Sequence, residues 1–378
     1  MKKQLTYILI SVFLVHLADY IYIPILPILL NTKQKLSFRQ IGLLIGIGSI
    51  CYQFSSLISG FLSDKIGRKL VLFIGVIITT VSLIFYGLSK SYHFLIIFEI
   101  LKGLGSGVFP PTLKALISEL DDVDKTLAFS KRGIVANLGV AIGGLVPLLF
   151  AKLSFPIYFI SSSIIYGLIT IFIFKLPNTK KNNNHLPFKE LSKNRRFILL
   201  NILAFIIWAL YIQLRVILPL KGKSFLVNLS IISIIFSITS VFVIIAQRFI
   251  TRRIIKKTSY LNSLSIGVIA FGIGLLLMGQ AKSFSLLLFS SLIFIIGEMF
   301  IAPSLDALTS KLADEKMTGA YYSISHLSFG LGSAFGSWLS GELMQHFGIN
   351  NILPWLILFI MAIITSIIIR LAKSKLTI

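Results

Sequence analysis

Charge is scarce in this sequence, and negative charge is scarcer still. Of 378 residues only 13% are Asp, Glu, Lys or Arg, where a soluble chain carries about a quarter. The acids number 13 against 36 Lys and Arg, a formal net charge of +23. One cysteine, Cys51, excludes an intrachain disulfide and a cysteine metal cluster. No Gly-x-x-x-x-Gly-Lys-Ser/Thr loop is present to cradle a nucleotide, which argues against a nucleotide-driven pump. Neither a Gly-x-Ser-x-Gly elbow nor a His/Glu metal spacing is present, so a membrane-embedded enzyme lacks its catalytic residues. What is there instead is apolar: 56% hydrophobic residues and a mean hydropathy of +0.92, which excludes ordinary soluble domains.

Runs of about 20 apolar residues, the length that crosses a bilayer, recur at roughly 5–30, 39–61, 70–88, 92–118, 132–152, 155–174, 197–220, 227–248, 259–279, 284–310, 319–343 and 351–371. They are apolar throughout, without the ten-residue alternation of a membrane β-barrel. An open sheet would leave edge groups unpaired in lipid. The expected fold class is therefore all-α, a polytopic protein of twelve transmembrane helices. Met1-Lys2-Lys3 and the apolar run behind it mimic a signal peptide, but the run continues to Leu30 through Asp19, Pro24 and Pro27 with no small-residue cleavage site. It reads as the first span. With both termini cytoplasmic, 25 basic residues fall inside and 8 outside, the bias that sets orientation. The basic excess is thus topology, and nucleic acid is not an expected partner.

The longest polar stretch, 175–196, divides the chain into an N-terminal six-helix bundle, 1–174, and a C-terminal one, 197–378. The two halves resemble each other. Pro111-Thr-Leu-Lys-Ala-Leu-Ile-Ser-Glu-Leu-Asp-Asp122 aligns with Pro303-Ser-Leu-Asp-Ala-Leu-Thr-Ser-Lys-Leu-Ala-Asp314 at seven of twelve positions, and Leu138-Gly139, Ala141 and Gly143 match Leu331-Gly332, Ala334 and Gly336. Spans four and five therefore correspond to ten and eleven. Duplicated halves around a central site are the plan of many secondary transporters.

Between the second and third spans lies Gly60-Phe-Leu-Ser-Asp64-Lys65-Ile-Gly67-Arg68-Lys69. This resembles the signature loop of the major facilitator superfamily, G-x-L-x-D-R-x-G-R-R/K, with Lys65 a same-sign replacement. Glycine at 60 and 67 suits close helix packing and a sharp turn. Asp64 can face a helix N-terminus or a basic side chain, and Arg68 offers a fork of donors. The resemblance implies a conformational-switch role for Gly60, Asp64, Gly67, Arg68 and Lys69. The corresponding segment 247–257 is basic but has no acid, so such a latch is asymmetric. Two further family motifs are partial. Where proton-coupled members carry an Arg before Gly-x-Gly, Gly103-Leu-Gly105 is preceded by Glu99 and Lys102. Where drug antiporters read G-P-x-x-G-G, this chain has Gly139-Val140-Ala141-Ile142-Gly143-Gly144.

A charge at mid-bilayer costs roughly 2.5–3.5 kcal/mol on insertion scales and calls for a reason. Five occur: Asp19 in the first span, Glu99 and Lys102 in the fourth, Arg215 in the seventh and Glu298 in the tenth. In the superfamily these four spans line the central cavity. Lys114 and Asp306 sit nearer the helix ends, where they can pair or reach water. Proton coupling needs an acid that titrates near neutral pH; burial favours this and a nearby cation opposes it. Asp19 has no cation within a turn, whereas Glu99 has Lys102 at i+3 on the same face. The proton-coupling candidates are thus Asp19 and Glu298 first, then Glu99, with Glu99–Lys102 as a structural or gating pair.

Substrate-binding candidates are Arg215, Lys102, Gln213, Tyr211, Trp208, Tyr22, Gln53, Asn137 and His326, a set of aromatic walls and polar anchors. Tyr211-x-Gln213 ahead of Leu218-Pro219-Leu220 is similar to the seventh span of bacterial drug-efflux members. The resemblance implies a monomeric, proton-coupled exporter of an amphipathic compound in the bacterial cytoplasmic membrane, driven by the proton gradient without a cofactor. Its partners are the lipid bilayer, a small-molecule substrate and protons. Arg215 and Lys102 keep open an anionic metabolite such as a carboxylate siderophore, and a channel stands as the reading from another class.

Overall fold

A computed structural model describes residues 2–120, 124–149, 154–176, 194–313 and 318–372. Most of the polar linker at 175–196 lies outside them. The described residues form helices and connections, without strands. Eleven helical stretches are long and apolar enough to cross a membrane: Lys3–Thr32, Phe38–Ile66, Arg68–Leu88, Tyr92–Ser118, Leu127–Leu149, Phe155–Phe174, Arg195–Lys223, Leu229–Ile254, Tyr260–Gln280, Phe284–Leu312 and Leu353–Leu371. The remaining expected span, 319–343, is the helix Thr318–Phe347. It falls short of that apolarity because serine and glycine recur along it. Ser328, Ser337 and Ser340 are buried, and their hydroxyls donate within the protein, Ser328 to Asn201 Oδ1 and Ser337 to the Ser333 carbonyl, each at 2.8 Å. Polar groups satisfied in this way are compatible with membrane depth. In chain order these are spans one to twelve, with Thr318–Phe347 the eleventh.

Among the described residues the first, fourth and seventh spans are each divided into two α-helical pieces. The first breaks between Lys2–Tyr20 and Leu26–Thr32 through a 3₁₀ turn at Ile23–Ile25. Pro24 and Pro27 supply no N–H there and their rings obstruct the preceding turn. In the fourth span Tyr92–Ser106 gives way to Phe109–Ser118 at Gly107 and Val108, just ahead of Pro110 and Pro111. The seventh is jointed at Ile212, between Arg195–Tyr211 and Gln213–Lys223. Here the buried Gln213 amide donates to the carbonyls of Ala209 at 2.8 Å and Gly336 at 3.1 Å and accepts from Ser340 Oγ. The break after Tyr211 follows the break after Tyr20 by 191 residues, as a duplicated chain requires.

The chain folds as two compact units. One comprises Met1–Leu36, Ile47–His185 and Ser230–Val241; the other comprises Ser37–Gly46, Leu186–Leu229 and Phe242–Ile378. Chain order alone, with bundles at 1–174 and 197–378, assigns the two short segments the other way. Local contacts explain their placement. In the second unit Arg39 pairs with Glu342, and Gly42 lies on the Ser337 carbonyl and the Gly341 backbone. In the first unit Ser237 Oγ donates to the Ala141 carbonyl at 2.7 Å and Ser240 Oγ to Asn137 Oδ1 at 3.0 Å.

Inside each unit the same backbone crossings recur. A Cβ placed on Gly75 would lie 2.9 Å from the Gly105 carbonyl oxygen, and one on Gly267 would lie 2.8 Å from that of Gly297. Both partners are shifted by 192 residues. Likewise Gly139 meets Phe13 and His16, while Gly332 meets Phe205 and Trp208. Helices approach this closely where at least one side presents no Cβ.

Candidate functional site

In the first unit two polar clusters form within the helix bundle. Asp19, half-buried in the first span, accepts a hydrogen bond from the Tyr166 hydroxyl of the sixth span at 2.8 Å. Glu99 and Lys102 are both buried, and Lys102 Nζ donates to Glu99 Oε2 at 2.7 Å. The i+3 spacing brings them to one helix face, so each charge is compensated within its own helix. Lys102 Nζ also stands 5.1 Å from the ring centres of Tyr22 and of Tyr86, where the π faces favour a cation. Lys102 is therefore held by a carboxylate and two rings. Gly48 faces Glu99, since a Cβ there would overlap its carboxylate. Gln53 is buried. Asn137 spends its side chain on bonding between helices, accepting from Ser240 and donating to the Gly133 carbonyl at 3.1 Å.

The second unit builds a different cluster. Tyr211, at the end of the first piece of the seventh span, donates its hydroxyl to Glu298 Oε1 at 3.2 Å. The Arg215 guanidinium lies 5.9 Å from the Tyr211 ring centre and acts electrostatically on Glu298. Around them stands an aromatic wall from four spans. Trp208 meets Tyr211 edge-on at 5.3 Å and Phe329 at 4.7 Å, and Phe271 and Phe294 stack at 4.1 Å beside Tyr211. A carboxylate, a guanidinium and a phenol stand beside four further rings, of which Trp208 and Phe329 keep some exposed surface while Phe271 and Phe294 are fully buried, so charge and aromatic surface lie together. Gln213 is committed to the joint of its own span, and His326 lies on an exposed face of the eleventh.

The signature loop closes on itself and on the fourth span. Gly67 has φ +101°, a left-handed conformation natural only to glycine, and turns the chain between spans two and three. Arg68 pairs with Asp64 Oδ1 at 2.9 Å, donates through Nε to Glu119 Oε1 at 2.7 Å and through a terminal nitrogen to Ser63 Oγ at 3.0 Å. One guanidinium thus ties the loop to the end of the fourth span, the planar fork geometry that suits Arg. Lys69 stands apart from the Asp64–Arg68 pair: its Nζ donates to the Phe174 carbonyl at 2.7 Å, capping the sixth span as basic residues do at helix ends. Gly60 serves no close packing, because a Cβ there would meet nothing within 4 Å.

Sequence reasoning missed Glu119, Tyr166 and the rings Phe271, Phe294 and Phe329. Glu119 sits outside the signature loop and shows only as one acid in an acid-poor chain. The rings carry no local signal, since a phenylalanine in an apolar helix reads alike toward lipid or toward a cavity.

An arrangement of interrupted membrane helices, paired intramembrane charges and repeated halves defines a secondary transporter. The family model described as Major Facilitator Superfamily matches residues 8–264 and 214–375, and the chain belongs to that superfamily. Among its relatives is the uncharacterized MFS-type transporter YttB of Bacillus subtilis (strain 168), 25% identical over 97% of this chain and 95% of that protein. The multidrug resistance protein MdtH of Blochmanniella pennsylvanica is 24% identical over 95% and 90%. Solved structures share the fold: a POT family transporter in complex with a thioalcohol-conjugated peptide at TM-score 0.84 and 17% identity, covering 100% of this chain and 97% of that one, and the nucleoside transporter NupG at TM-score 0.83 and 17% identity, covering 97% and 98%. Family and fold are those of transporters, and the protein is a multi-pass membrane protein.

Proposed function

We propose that the protein exports an amphipathic small molecule in exchange for protons, working by alternating access in a bacterial cytoplasmic membrane with both termini inside. The observation that carries this reading is Glu298, hydrogen-bonded to Tyr211 beside the partly exposed rings of Trp208 and Phe329. Aromatic faces take a flat apolar or cationic molecule, and the carboxylate takes either its positive charge or a proton. Substrate and proton then compete for one group, which is the simplest form of exchange. Asp19, held by Tyr166, is the second acid able to load and release a proton. The MdtH relatives support export, and the proton gradient serves as the energy source.

The test is transport of a fluorescent amphipathic cation into inverted membrane vesicles under an imposed pH gradient. Glu298→Gln keeps the shape of the side chain and removes its charge, so gradient-driven accumulation should fall at least about tenfold, the loss of one charge-assisted contact. Asp19→Asn should uncouple accumulation from the gradient. Full gradient-driven transport in both variants overturns the reading. Arg215 is the one observation favouring an anionic metabolite such as a carboxylate siderophore, because Lys102 is occupied by Glu99. In that case Arg215→Gln abolishes uptake of a carboxylate probe, and the cationic probe is never carried.

A further inference from the structure

The second unit carries a cavity away from the charged cluster, of about 740 Å³. It lies where the seventh and ninth spans end and the twelfth begins, lined by Lys221, Ser224, Phe225, Gln280, Lys282 and Asn350 among others. Along the chain this end of the unit is opposite the basic segment 248–257, which the charge bias places inside, so the cavity opens at the outer face. Its lining among the described residues has two ammonium groups and no carboxylate. Lys221 is only 4% exposed, and among the described residues its ammonium hydrogen-bonds to Asn350 Oδ1 at 3.2 Å. An ammonium has three donors and loses much hydration on burial, so this lysine is incompletely compensated. Lys282, exposed on the connection between the ninth and tenth spans, adds like charge close enough to act on Lys221. Two cations lining one cavity without an acid are costly unless something negative joins them.

We infer that this cavity is a binding site for a phosphate-bearing anion, held by Lys221 and Lys282. A phosphate group offers acceptors to both lysines at once, and lysine binds phosphate as a point charge. The side-chain amide N–H groups of Gln280 and Asn350 can complete its coordination. Phe225 and Ile352 give the cavity an apolar side, which suits an anion with a hydrocarbon part. The volume is that of a small-molecule pocket. Two sources share this chemistry: the headgroup of an anionic phospholipid in the outer leaflet, and a soluble phosphate compound. The site is separate from Glu298 and Arg215, so it stands or falls independently of the exchange proposed above.

The experiment uses the full chain, purified in a neutral detergent. In one arm, inorganic phosphate is titrated against chloride at matched ionic strength while thermal unfolding is followed. In the other, phosphatidylglycerol and phosphatidylcholine compete for the protein and bound lipid is counted by native mass spectrometry. The exposed Lys282→Gln leaves the fold intact, whereas Lys221→Met tests the buried partner and is read only if it elutes as a single species. Selective retention of phosphatidylglycerol, weakened about tenfold in Lys282→Gln, assigns the site to lipid. Stabilisation by phosphate alone, lost in the same variant, assigns it to a soluble compound. No anion effect in either arm, or an equal effect in wild type and Lys282→Gln, overturns the inference and leaves the two lysines as partners of helix-end carbonyls.

Discussion

Replacing Gly297 by alanine tests whether the close crossing of the ninth and tenth spans holds the second unit together. The added Cβ would lie 2.5 Å from the Gly267 carbonyl oxygen and 2.7 Å from Phe271 Cδ1. An ordinary carbon–oxygen contact is about 3.3–3.6 Å, so the two helices must separate by close to 1 Å or tilt. Overpacking of this kind costs about 1–3 kcal/mol, and the upper end applies because one clashing atom is backbone. Alanine returns up to about 1 kcal/mol as the better helix former. The net expectation is a loss of about 2 kcal/mol. Gly167, in the sixth span, is the control. A Cβ there meets nothing within 4 Å, so Gly167→Ala should gain up to about 1 kcal/mol. Thermal unfolding of the two purified variants should therefore move in opposite directions, with Gly105→Ala, the counterpart of Gly297 in the first unit, following Gly297→Ala. A Gly297→Ala protein that melts at or above wild type, or a Gly167→Ala protein that falls equally, refutes the argument.

Arg68→Lys should abolish most transport while leaving expression unchanged, because an ammonium cannot reproduce the guanidinium fork to Asp64, Glu119 and Ser63; Glu119→Gln should give a milder form of the same defect in vesicle transport, and normal transport by Arg68→Lys would remove the latch from the mechanism. Gln213→Leu takes the buried amide from the Ala209 carbonyl and leaves Ser340 and Gly336 bonded only to each other, a cost of about 1–3 kcal/mol for a buried group left unpaired; its melting temperature should fall below that of Asn201→Leu, which loses a less enclosed bond to Ser328. Trp208→Ala should raise the KM for an amphipathic probe and leave the pH dependence of transport unchanged, since it removes a ring of the cluster and no titrating group.

Length, composition and basic bias were enough to read twelve helices, because a bilayer accepts so few alternatives. The signature loop was readable for a different reason: glycine at 67, Asp64 and Arg68 do local work, within one turn of chain. Glu99 with Lys102 was legible on the same ground, the i+3 geometry of a helix. The sequence says far less about which helices meet. A span that is apolar all round carries no stripe to mark its neighbour, so nothing pointed to Tyr166 for Asp19 or to Glu119 for Arg68. Asn137 and Gln213 look like substrate anchors for the same reason that they look like structural amides. Only their partners, Ser240 and Ser340, tell the two apart. The segments 37–46 and 230–241 show a further limit, since chain order assigns a helix to one bundle although its first turns bind another.

The glycine contacts repeat at a spacing of 192 residues, but the intramembrane charges do not. At that spacing Asp19 falls opposite Tyr211, Glu99 opposite Ser291, Lys102 opposite Phe294 and Glu298 opposite Ser106. The doubling is kept where backbone presses on backbone and lost at the charges buried within the spans. Such a molecule can change what it carries without renegotiating how it is assembled. New substrate ranges in relatives should accordingly map to the unmatched positions, while the paired glycines stay silent.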